Sequence, residues 1–139
     1  MRAKTLCTAL AVTGAGTATS TPILLIAGGH FKNYGDSNVP GEDMAFPSSG
    51  NAVVALSLSV FTLASGGSVV VQTSNNYFSD SGSGETFATV ATYAPAGGIT
   101  SDSEVVFLDK VPLGEAVQVV ITSVLTADTG KVTATLLSN

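Results

Sequence analysis

Between Ser68 and Tyr93, in SVVVQTSNNYFSDSGSGETFATVATY, two extended segments flank a run of Ser, Asn, Asp and Gly. Val69, Val71 and Thr73 share one face of the first segment and Val70 and Gln72 the other, which is the two-residue period of a strand. The second segment runs from Thr86 to Tyr93. The polar run between them is too long for a two-residue turn, so the stretch reads as a β-hairpin with an extended tip.

The rest of the chain supplies segments of the same kind. From Lys4 to Val12, Leu6, Leu10 and Val12 share a face, with Thr5, Cys7, Ala9 and Ala11 opposite, and Gly14 and Gly16 end the run. Thr17 to Ala27 is a second extended run; Pro22 has no N–H for a ladder, so this strand lies at an edge or starts only after the proline. Asn51 to Ala64 alternates, with Val54, Leu56, Leu58 and Val60 on one side and Ser57 and Ser59 opposite. The Ser65-Gly66-Gly67 turn then suggests a second hairpin into Ser68 to Ser74. After the connection APAGGITSDS, the segment Glu104 to Asp109 holds VVFL, four apolar residues in a row, which implies burial on both faces inside a sandwich or beneath a neighbouring subunit. Ala116 to Thr126 places Val117, Val119 and Ile121 together, and Asp128-Thr129-Gly130 is a turn. Lys131 to Leu137 directs Val132, Ala134 and Leu136 inward and Lys131, Thr133 and Thr135 outward.

These are about eight strands with turn chemistry between them and no helical period, which predicts an all-β protein, an antiparallel β-sandwich or jelly roll. The 139 residues fit a single domain, 1–139, with residues 1–27 an N-terminal strand or arm toward neighbours. The exception to the pattern is the long irregular loop 28–50. Connections beyond about 15 residues tend to be functional or disordered. This one carries Phe31, Tyr34, Met44 and Phe46, and disordered linkers are poor in aromatics, so it is expected to pack against something.

Composition then excludes whole classes of function. Only 11% of residues are charged while 45% are hydrophobic, against roughly a quarter charged in ordinary soluble domains. A surface so poor in charge is expected to be covered by neighbours. The net charge is −5, and Arg2, Lys4, Lys32, Lys110 and Lys131 are scattered, so there is no basic stripe to neutralise phosphates and no direct nucleic-acid binding is expected. No apolar run reaches the length of a membrane span. Arg2 and Lys4 before TLCTALAVTGAGTA loosely imitate a signal peptide, but the apolar run is short and broken by Thr5, Thr8 and Thr13, and residues 4 to 12 read as a strand in an uncleaved protein.

Catalytic and metal chemistry find little to work with. His30 is the sole histidine, so any triad or acid–base pair would have to use it, and no accompanying pattern specifies a reaction. Cys7 is the sole cysteine, which excludes an internal disulfide and a cysteine-based zinc site and leaves a small apolar strand residue. Calcium candidates are Asp80 and Glu85 in the hairpin tip, then Asp36 with Asn38 and Asp102 with Glu104; none follows a twelve-residue calcium-loop pattern, and Asp/Ser/Gly runs are ordinary at hairpin tips. Gly14 and Gly16 precede no helix that could hold phosphate. Tyr77 and Phe78, at the mouth of the hairpin, could stack on a sugar ring or contact a protein neighbour. No cofactor is expected.

The run VVVQTSNNYFSDSGSGETFATVATY, followed by AVQVVITSVLTADTGKVTATLLSN, resembles the C-terminal part of small β-sandwich proteins found in tailed-phage virions. The matching positions are Gln72, Ser74, Asn75, Asn76, Phe87 and the terminal Val132 to Leu137. The departures are Phe87, where that family often has Trp, and AVQVVITSV, where it often has an Arg-rich strand. The resemblance implies a closing hairpin at the C-terminus and a non-enzymatic role as a capsid decoration protein or a minor head or tail component. Interface residues are then expected at Phe31, Tyr34, Met44, Phe46, Tyr77 and Phe78. The partners would be capsid or other virion proteins and copies of the chain itself, in a virion assembled in the host cytoplasm. The alternative is a carbohydrate- or receptor-binding module of a fibre or adhesin, using Tyr77 and Phe78.

Overall fold

A computed structural model describes residues 2–12, 14–24, 52–76, 85–114 and 116–138. Among these residues there is no helix, and nine strands follow one another: β1 Arg2–Ala11, β2 Gly16–Thr19, β3 Ile23–Leu24, β4 Ala52–Leu63, β5 Ser68–Ser74, β6 Ala88–Tyr93, β7 Ile99–Val111, β8 Ala116–Ser123 and β9 Thr129–Ser138. They form two antiparallel sheets. The first has the order β1-β9-β4-β7, and the second β2-β8-β5-β6 with β3 also on β8. The expected all-β sandwich is therefore the fold.

The core lies between the sheets, where the alternating positions put it. Val54, Leu56 and Leu58 of β4 and Val132, Ala134 and Leu136 of β9 meet Val69 and Val71 of β5 and Val117, Val119 and Ile121 of β8, all fully or almost fully buried. Burying an aliphatic side chain of this size contributes about 1.5–3 kcal/mol, which is what holds the two layers together.

The expected edge position of Pro22 is also found. β2 and β3 are two pieces of one edge on β8, Gly16–Thr19 opposite Val120–Ser123 and Ile23–Leu24 opposite Ala116–Val117. Ser20 spans the break: its N–H donates to Val119 O at 2.9 Å, and its hydroxyl accepts from Val119 N at 2.8 Å. The proline then costs no ladder bond, because the strand is already interrupted there.

Several expectations are corrected. The alternation in β4 does not carry Val60 inward. Val60 is 67% exposed with φ +46°, and the register against β9 slips between Ser59 and Thr62, so Phe61 and Leu63 take the buried positions. A β-bulge of this kind adds a residue to one strand and flips the side chains that follow. Gly130, at φ +127°, makes the room: a Cβ there would stand 2.6 Å from Phe61 Cα.

The turn at Ser65-Gly66-Gly67 makes no hairpin. Gly67 N donates to Ala64 O at 3.0 Å, but β4 pairs with β7 and β9 while β5 pairs with β6 and β8, so the chain crosses from one sheet to the other. The last two strands are not a hairpin either: β8 lies in the second sheet and β9 in the first. The hairpin that does form is β5–β6, where Val69 faces Tyr93 and Thr73 faces Ala88. β7 begins earlier than expected, at Ile99, and its VVFL run is not buried on both faces. Val106 and Leu108 pack against the core, whereas Val105 is 53% and Phe107 60% exposed, because β7 is the last strand of its sheet and its outer face meets no other layer among the described residues.

Candidate functional site

The outer face of the first sheet follows from its register. Phe107 faces Ala55, Ala55 faces Thr135, and Thr135 faces Thr5, so one row crosses all four strands. The next row places Val105 beside Ser57 and Ser57 beside Thr133. Neither row holds a charged side chain. Charge enters at the margins, with Lys131 opposite Ser59 and Asp109 and Lys110 at the end of β7. Such a surface is cheap to dehydrate, since hydroxyls and alkyl groups leave water at far lower cost than carboxylates or ammonium groups. Its most apolar part is Val105 and Phe107, on the strand whose second edge pairs with nothing among the described residues.

At one end of the second sheet lies a cleft of about 550 Å³, floored by Ala88, Val90, Pro112 and Leu113 and rimmed by Thr73, Asn75, Asn76, Thr86 and Gly114. Its wall is fixed by a local network. Gly114 N donates to Thr73 Oγ1, which donates to Ala116 O at 2.9 Å. The Asn76 side-chain oxygen accepts from the Ser74 hydroxyl and from Thr86 N, each at 2.9 Å, which closes the base of the β5–β6 connection. Gly114 must be glycine, because a Cβ would stand 2.0 Å from Asn75 Oδ1 and 2.7 Å from Ser74 O. Among the described residues no imidazole, carboxylate or thiol lines the cleft, and those that do line it offer amide and hydroxyl groups beside apolar side chains.

A narrower cleft of about 300 Å³ follows the seam between the sheets, where Leu6, Cys7 and Leu10 of β1 face Thr19, Ser20 and Ile23. Cys7 is half-buried rather than core, since the register of β1 slips on either side of it. Burial pushes its thiol up, against the lowering effect of a backbone hydrogen bond from Ala134, so the thiolate is disfavoured.

The expected interface residues Phe31, Tyr34, Met44, Phe46, Tyr77 and Phe78 lie outside the described residues, as do His30, Asp36, Asn38 and the calcium candidate Asp80. Glu85 is described and half-buried beside Thr86. Asp102 and Glu104 stand exposed on β7, where Glu104 accepts a 3.5 Å hydrogen bond from the Tyr93 hydroxyl across the two sheets. Burial and then the Glu104 carboxylate raise the Tyr93 phenol. Among the described residues no group of three or more His, Cys, Asp or Glu could hold a metal ion.

Sequence reasoning missed the exposure of Val105 and Phe107, although Glu104 and Asp109 bracket them as charges bracket an edge strand. It also missed Asp128, whose carboxylate is almost fully buried. One oxygen accepts from Ala64 N at 3.0 Å, and the other accepts from Val124 N and Leu125 N, each at 3.1 Å. Burial alone would raise this carboxyl, but the three backbone donors outweigh it and hold it below its ordinary range.

Compared with protein families, curated proteins and solved structures, the chain matches none.

Proposed function

We propose that this chain is a non-enzymatic structural subunit of a virus particle, a capsid decoration or cement protein that docks on other virion proteins and on copies of itself. The observation that carries the reading is the uncharged outer face of the first sheet, with Val105 and Phe107 exposed at its rim. An apolar rim next to an uncharged field is what a subunit presents when neighbours cover it. The sparse charge of the whole chain and the resemblance of its C-terminal half to small tailed-phage virion proteins support the same role. The test is incorporation. Particles assembled with Phe107→Ser or Val105→Lys should take up far less of the protein while each purified variant keeps its β-rich circular dichroism; full occupancy by both variants would refute the assignment.

The cleft beside Asn75 favours a second reading, a carbohydrate- or receptor-binding module. An amide and hydroxyls above an apolar floor suit a neutral ring with one apolar face. Saturable glycan binding that is lost on Asn75→Ala, with particle occupancy unchanged by the β7 variants, would favour this reading over the first.

A further inference from the structure

We draw no further inference here: the strongest candidate, the outer edge of β7 with Val105 and Phe107 exposed beside it, ends its sheet with nothing among the described residues to show what covers it.

Discussion

Replacing Val60 with glycine should stabilise the protein, although it removes a hydrophobic residue from the middle of a long strand. Val60 holds φ +46° with two-thirds of its surface in solvent. A left-handed backbone brings Cβ against the following carbonyl at a cost of about 1–2 kcal/mol for an ordinary residue, and a β-branched side chain fits it worst. Little burial is lost on truncation. Against the relief stands the extra freedom glycine gives the unfolded chain, about 0.5–1 kcal/mol. The net gain should be about 0.5–1 kcal/mol, or roughly 3 °C in Tm for a domain of this size. Urea unfolding followed by circular dichroism measures it, with Val60→Ala as a control that keeps Cβ and should gain less. A loss of stability in Val60→Gly would show that the bulge is not strained, and that the valine side chain contributes contacts its exposure hides.

Gly130→Ala should be destabilising by at least about 2 kcal/mol, because the new Cβ meets backbone at Phe61 and sits at a positive φ; an unchanged urea midpoint would contradict the account of the bulge. Phe61→Ala should cost about 3–5 kcal/mol, the usual range for emptying a buried phenylalanine site, and calorimetry reads it directly. Asp128 should make the fold acid-labile. Its carboxyl is lowered in the folded state, so its stabilisation is complete above the unfolded pKa and is lost as pH falls through the folded one. Urea midpoints taken from about pH 5 downward should fall more steeply for the parent chain than for Asp128→Asn; parallel curves would refute the role. Deleting residues 30 to 47 should abolish particle incorporation while leaving a folded domain, and normal occupancy by the deletion variant would count against a docking role for that loop.

The fold class was legible because most strands carry their own two-residue period. Val132, Ala134 and Leu136 sit inward with Lys131 outward, as a local window dictates. What stayed hidden was decided by residues distant in the chain. The phase slip at Val60 depends on Gly130 reaching Phe61, a contact no window around β4 contains. The Ser65-Gly66-Gly67 turn has hairpin chemistry, and only the pairings of β5 with β6 and β8 show that it joins two layers. VVFL reads as doubly buried because a continuous apolar run is ambiguous between a central strand and an edge strand. The outer face was legible residue by residue in Thr133 and Thr135, but its assembly from four strands is a property of the register.

The chain moves between the layers at almost every step: β1 in the first sheet, β2 and β3 in the second, β4 back, β5 and β6 across, then β7, β8 and β9 alternating. No contiguous half of the polypeptide therefore contains a whole sheet, and neither layer can be completed before the other is nearly in place. Partial products of synthesis should hold unsatisfied strand edges until the ten residues of β9 arrive to fill the place between β1 and β4. Folding should then be slow, late and all-or-none, as expected where pairing is dominated by remote partners.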